Sequence, residues 1–454
     1  MSPQTQQSRA FVAAGLRTAA GCLIHARRIT ALGLPAIAAF TLLGGCPPAP
    51  PGEADLPSFA NGTDKTNASA SYVGSAACKQ CHSDIATIYA NHSHAHAITT
   101  IRGAAPTFPN AAQTGGVPNP PDGFSWANIS YVIGGYSKAA RFINQNGEFL
   151  TTGLTSVLTQ WNLPFDPNGA NAEFASFLPA ATGATPLDFN TFAPRTTGPV
   201  RRTDENPLSQ DNRPGIEGAW FENGAQCEAC HGPGGNHFFT AAGRVVIDRS
   251  RIFVDPSGDE SCRQCHAYPF GDTSGEIAAR DGFIAPLQQA SELSASGAHA
   301  RFSCTTCHDP HHSIVADRGS AIRNECGACH STQNMAGHRG AVFERGDYRE
   351  TLTCESCHMP FAVKDASSAT AAVAGPAGRI GDTRSHIFRL SVEAADHTAF
   401  LTDDGGSVRR DPDGLARITV DYVCLRCHNG QGNVFSLTVA RAAEIAGRVH
   451  DFPE

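Results

Sequence analysis

Cys-x-x-Cys-His occurs seven times in this chain, opening at Cys78, Cys227, Cys262, Cys304, Cys326, Cys354 and Cys424. The second cysteines are Cys81, Cys230, Cys265, Cys307, Cys329, Cys357 and Cys427, followed by His82, His231, His266, His308, His330, His358 and His428. Two thiols at this spacing can add across the two vinyl groups of a haem, and the adjacent histidine then lies under the ring as an axial iron ligand. The chemistry is covalent haem attachment, repeated seven times.

Other uses of paired cysteines explain less. A zinc ribbon does not require a histidine directly after its second cysteine. A disulfide framework suits an exported chain but gives no reason for the histidines, and a redox-active pair accounts for one motif rather than seven. Of 16 cysteines, the motifs use all but Cys22 and Cys46, both upstream of the first motif. The expected cofactor is seven covalently attached c-type haems, which makes the chain a multihaem c-type cytochrome.

The second axial ligand decides what each iron does. Methionine is confined to Met1, Met335 and Met359, and lysine to Lys65, Lys79, Lys138 and Lys364. Met359 adjoins its own motif histidine, and Met335 is read as a packing residue. Of 19 histidines, seven are in motifs and His25 is near the N-terminus, which leaves eleven for seven irons. Bis-histidine ligation throughout is therefore possible in number, and it implies six-coordinate electron-transfer centres.

The elements that position these residues follow from composition. Residues 1–45 run from an arginine-containing stretch into an apolar segment, Ile29 to Leu43, with no acidic residue, as a secretory signal does. Leu43-Gly44-Gly45-Cys46 resembles a bacterial lipobox, so a lipid anchor at Cys46 is expected, and the apolar run is short for a membrane span. Residues 46–71 form a flexible linker rich in Pro, Gly, Ala, Ser, Thr and Asn. The remaining chain divides by motif spacing. An N-terminal region, 72–226, holds one haem and a motif-free insert. A five-haem core spans 227–365, with gaps of 35, 42, 22 and 28 residues between motif starts. A C-terminal region, 366–454, holds one haem and begins with an Ala/Gly-rich loop from Ala366 to Gly378.

Short helices around the motifs and long irregular connections are expected: a mainly α fold with much irregular structure, organised around packed haems. The chain contains 45 glycines, 29 prolines and 17 % charged residues, so porphyrin plates must supply much of the core and the apo chain should be largely disordered. One β region is predicted near 129–153. There Arg141-Phe142-Ile143-Asn144 and Glu148-Phe149-Leu150-Thr151 flank Asn146-Gly147, a hairpin signal, with Ile129 to Ile133 just before it.

Several segments together resemble the multihaem cytochrome c family related to the tetrahaem cytochrome of hydroxylamine oxidation. They are Tyr72-Val73-Gly74-Ser75 before Cys78, Ser93-His94-Ala95, Tyr131 to Tyr136 with Ala140 to Ile143, and Cys227 to Gly234 with His237. Cys304 to His308 with Asp309-Pro310-His311, and Gly381 to His386, complete the set. The resemblance runs from Tyr72 to the C-terminus and implies an exported electron carrier. It also implies distal ligand roles for His94, His237, His299, His311, His338, His386 and His450. His92 and His96 compete with His94, His312 competes with His311, and His397 is read as structural. The family often carries a further haem motif between the hairpin and the Cys227 segment. Here Phe189 to Gly198 takes that place, with Thr191, Pro194 and Arg195 where two cysteines and a histidine would stand, so one haem is read as lost and its volume refilled by Phe189, Phe192 and their neighbours.

Two functions are compatible with these residues. The first is electron transfer along a chain of bis-histidine haems between redox partner proteins, such as other cytochromes or a membrane donor. The alternative is a multihaem oxidoreductase with one open iron acting on a small nitrogen or sulfur compound. Available distal histidines for every iron favour the carrier, with no catalytic residue assigned. The formal charge of −8, together with the haem propionates, makes the surface acidic, so a basic redox partner is expected and no nucleic acid. Haem attachment outside the cytoplasmic membrane places the protein in the periplasm or at the cell surface, and Pro47 after Cys46 points to an outer-membrane lipoprotein.

Overall fold

A computed structural model describes residues 61–110, 115–267, 275–335, 337–365 and 371–451. The expected signal segment, Cys46, the linker as far as residue 60 and residues 366–370 of the Ala/Gly-rich loop lie outside the described residues.

The largest regular unit is a five-stranded antiparallel sheet in the order β1 (Ile98–Thr100), β2 (Ile129–Gly134), β3 (Ala139–Asn144), β4 (Gln160–Asn162) and β5 (Glu173–Ala175). The β-branched and aromatic residues of Ile129–Gly134 and Ala139–Asn144 suit a pleated surface. Alternation sends Tyr131, Ile133 and Ile143 to one face, against Phe149, Leu187, Phe192, Ile216 and Trp220. Val132, Ala140 and Phe142 go to the other, against Ile101, Phe108, Val117, Tyr136 and Leu150. A register shift between Ile129 and Tyr131 returns Ile129 to this second face, as a bulge does. The sheet is thus buried on both sides.

The predicted Asn146-Gly147 turn is present. Gly147 has φ +90° and its N–H donates to Asn144 O at 3.1 Å, a conformation that glycine adopts without strain. Pairing across it is limited to the bridge Ile143↔Phe149 and neighbouring hydrogen bonds, because the main partner of β3 is β2. The β region extends well beyond 129–153 for that reason.

The mainly α expectation holds only loosely, with 26 % helix and 18 % strand. Each helix that carries a motif is short: Cys227–His231, Asp259–His266, Cys304–Cys307 and Cys354–His358. One helical turn is enough to set cysteines at i and i+3 and a histidine at i+4 on one face, so nothing in the motif demands a longer helix. No helix among the described residues is long and apolar enough to cross a membrane.

A second core lies under the last two motifs. Ile277, Ile284, Val363, Ile387, Phe400, Ile418 and Tyr422 are buried there, with Cys357 and Cys424 packed against it. Between these cores the chain has little apolar interior of its own. From Arg301 to Val342, which includes the Cys304 and Cys326 motifs, the buried residues among those described are Ser313 and Ala321. A stretch so poor in buried side chains needs another apolar body to order it.

The segment Phe189 to Gly198 lies beside both the sheet and the second motif. Phe192 is fully buried and its ring stands 5.0 Å from that of Trp220, while Thr197 Oγ1 accepts from the N–H of Gln226, next to Cys227, at 2.8 Å. Phe192→Ala is expected to cost about 3–5 kcal/mol, as large-to-small core substitutions do. The expected readout is faster proteolysis of the sheet region with the covalent haem content unchanged.

Candidate haem centres

Consecutive motifs are linked in chain order, directly or through residues that adjoin them. The turns Ser75–Cys78 and Cys227–His231 are in contact, and Glu228, inside the second motif, accepts from the N–H groups of Val73 and Gly74 at 2.9 and 2.8 Å. From the third motif, Gln264 Nε2 donates to Ala229 O in the second at 3.3 Å. Gly258, ahead of the third motif, lies against both Cys262 and Cys304, and Thr305 Oγ1, within the fourth motif, donates to Pro256 O at 2.7 Å. The Arg323 N–H, ahead of the fifth motif, donates to Cys307 O at 2.8 Å. Arg318 bridges Glu325, just before the fifth motif, and Glu355, inside the sixth. Arg426, inside the seventh, donates to Ser356 O in the sixth at 3.1 Å.

Opposite six motif histidines stands a second imidazole from elsewhere in the chain. Ring centroids are separated by 6.2 Å for His231 and His311, 5.9 Å for His266 and His94, and 6.1 Å for His308 and His386. The values are 5.8 Å for His330 and His299, 5.9 Å for His358 and His450, and 6.2 Å for His428 and His338. Two imidazoles that each bind one metal at about 2 Å from opposite sides have centroids about 6 Å apart, so the residues fit iron held between paired histidines. His82 is exposed and has no ring partner among the described residues. His237, assigned to the remaining iron by resemblance, holds Asp248 O with its Nδ1 at 2.9 Å, and no ring contact joins it to His82.

Local hydrogen bonds aim these rings. Nδ1 meets a backbone carbonyl in His231 (Phe253 O, 2.8 Å), His358 (Phe388 O, 2.9 Å) and His428 (Phe435 O, 2.9 Å). A carbonyl only accepts, so Nδ1 carries the proton and Nε2 is left as the donor atom for a metal. The His386 N–H donates to Glu292 Oε2 at 2.7 Å, and the Ala225 N–H donates to His94 O at 2.9 Å. The ring Nδ1 atoms of His338 and His386 are buried without a partner. Burial also lowers the imidazole pKa of His94, His266, His308, His311, His358 and His428, and brings His386 down to about 3. Neutral imidazole is the form that binds a metal.

The competing histidines are engaged otherwise. His92 stacks on Tyr89 and accepts from the His94 N–H at 3.1 Å, and burial lowers its pKa to about 4. His96 contacts Ala90 O at 2.8 Å, and His312 lies 3.3 Å from an Asp317 oxygen. His397 contacts Arg379 at 2.7 Å and Asp421 at 3.6 Å. Met335 Sδ lies 3.9 Å from Cys354 Sγ, a packing contact beside the sixth motif.

Charged residues around the motifs were not singled out in the sequence. Arg426, 2 % exposed, pairs bidentately with Glu350, 8 % exposed, at 2.7 and 2.9 Å. Glu350 also accepts from Tyr348 and Ser356. Glu292 is fully buried, which raises its carboxyl to about 7. The available signal was a charge at an inner motif position, in Glu228, Glu355 and Arg426.

The family model described as cytochrome c554 and c-prime matches residues 77–114. The dissimilatory sulfite reductase MccA of Wolinella succinogenes is 23 % identical over 230 residues, 42 % of this chain. The chain spans about 29 % of that curated relative's length. Among solved structures, the outer cell wall cytochrome OcwA has a TM-score of 0.46 at 18 % identity, covering 82 % of this chain and 86 % of its own. The octahaem sulfite reductase MccA of Wolinella succinogenes has a TM-score of 0.47 at 16 % identity, covering 78 % and 65 %. The motifs and the family match together support a multihaem c-type cytochrome.

Two predictions follow from this geometry. The facing rings are nearly parallel at His231/His311 (10°) and His358/His450 (9°) but crossed at His338/His428 (75°). Electron paramagnetic resonance of the oxidised holoprotein should therefore resolve at least two classes of low-spin signal, and His338→Ala should abolish the crossed-plane class. The second concerns acid. Burial alone would raise Glu350, but the charge and hydrogen bonds of Arg426, Tyr348 and Ser356 outweigh it and hold the carboxyl at about 2, well below the usual carboxylate range. A depressed carboxyl contributes stability that is fully present above the unfolded value and is lost as pH falls through the folded one. Circular dichroism between pH 4.5 and 2 should show this loss, and Glu350→Gln should flatten it.

Proposed function

We propose that this chain is an exported heptahaem c-type cytochrome that carries electrons along a row of bis-histidine centres between redox partner proteins. The observation that carries the reading is that each motif is tied to the next, directly or through a residue beside it, in chain order from Cys78 to Cys424. When bound, haem supplies one-electron cycling of iron. The protein's part is to hold seven attachment sites in an unbroken series and to offer a second imidazole across each. Facing rings support this for six motifs, and the reading assigns His237 to the iron of His82. It also includes a lipid anchor at Cys46, a linker to residue 71 and attachment to the outer membrane, with regions 72–226, 227–365 and 366–454 forming the haem-bearing body. Burial of Phe192 between the sheet and the second motif supports the loss of one family haem motif at Phe189 to Gly198.

A second reading has its own observation. His82 is exposed with no facing ring among the described residues, so an iron at the first motif would be open to a small exogenous ligand. The relative named as a sulfite reductase makes a sulfur oxyanion the substrate class to try. A pyridine haemochrome assay should return seven haems per chain. The carbon monoxide difference spectrum of the reduced holoprotein should then show no binding if every distal position is held. Binding at one site per chain would move the enzyme reading to first place.

A further inference from the structure

Buried charge is distributed unequally along the motif row. At the first and second motifs it is negative. Glu228 is 3 % exposed and accepts from the N–H groups of Val73, Gly74 and Gly234, with no ion pair among the described residues. Glu222 accepts from the N–H and hydroxyl of Ser75, three residues before Cys78. The cations near this end face solvent: Lys79, inside the first motif, is exposed, and Lys65, more than a third exposed, pairs with the solvent-facing Glu260, so solvent screens both.

At the sixth and seventh motifs cations outnumber acids: Arg318, Arg345, Arg379, Arg384 and Arg426 stand with the buried Glu350, Glu355 and Asp421. Arg426 is buried between Cys424 and Cys427. Arg384 donates to Glu355 O and Met359 O, both at 2.9 Å, on either side of His358. These two guanidiniums share one carboxylate, Glu350. Glu355 is paired with Arg318, and Asp421, three residues before Cys424, with Arg379.

Fixed charges in a poorly solvated interior act on a nearby iron with little screening. A carboxylate favours the ferric state, which carries one more positive charge, and a guanidinium favours the ferrous state. The propionates are common to all the centres, so what differs between the ends is the protein's own charge. We infer that Glu228 at one end and the Arg426–Glu350–Arg384 cluster at the other set a potential gradient along the row. Electrons enter at the first two motifs and leave at the last two. This rests on the electron-carrier reading above. A one-electron donor protein is oxidised at the Cys78 end as a one-electron acceptor is reduced at the Cys424 end, and each centre between them gains and passes on one electron.

The test is a spectroelectrochemical titration of the full holoprotein, wild type and variants, with haem content measured in parallel. Glu228→Gln should raise the lowest-potential step by an equilibrium factor of about tenfold, ~59 mV for one electron, and leave the highest step in place. Arg426→Met should lower the highest step and leave the lowest. If Arg426→Met loses a haem, Glu350→Gln carries the test, because it keeps both guanidiniums and should raise the highest step. An effect of Glu228→Gln on the highest step, or on none, overturns the gradient, as does an effect of either cluster variant on the lowest step. A wild-type haem content other than seven, or no reversible titration, overturns the carrier reading instead.

Discussion

An imidazole supplied by a Cys-x-x-Cys-His motif can approach a metal from one side only, and for six motifs a second imidazole comes from elsewhere in the chain to a centroid about 6 Å away. Much of this fold serves that requirement. His94 reaches His266 because the loop after Tyr89 is hydrogen-bonded to the segment leading into the second motif. His386 reaches His308 because its backbone is tied to Glu292 and Ser296. The loops that carry facing histidines are therefore anchored by backbone and buried polar contacts more than by regular structure.

The apolar interior is divided accordingly. The five-stranded sheet and the core under Tyr422 are formed by side chains alone. The span around Cys304 and Cys326 contributes almost none, so its order depends on what the motifs bind. Two side-chain cores flank a middle that has almost none, which is also where spacing between motifs is shortest.

Charge placement adds a layer that the motif count does not contain. Glu228, Glu355 and Arg426 occupy inner positions of their motifs, where a helical turn directs them away from the attachment face and toward segments that adjoin other motifs. The same residues that join consecutive motifs thereby place fixed charge next to them. A buried ion pair such as Arg426 with Glu350 is weak evidence for stability by itself, and its position at a motif joint is a better reason for its presence.

The amino-acid sequence alone determined the chemistry: cysteine and histidine at fixed spacing specify covalent attachment and one axial ligand, because both act within a single helical turn. It also marked the Asn146-Gly147 turn, whose signal is equally local. Tertiary structure decided the rest. Composition made eleven histidines equivalent, and only the folded chain separates His94 from His92, 4.5 Å away ring to ring, by which of them faces His266. The extent of the sheet escaped a reading of local pattern because β4 and β5 are three residues each and are defined by their partners. The pairing of Arg426 with Glu350, 76 residues apart, has no local signature. Ligation across a gap and compensation of buried charge are long-range conditions, satisfied only when distant segments meet.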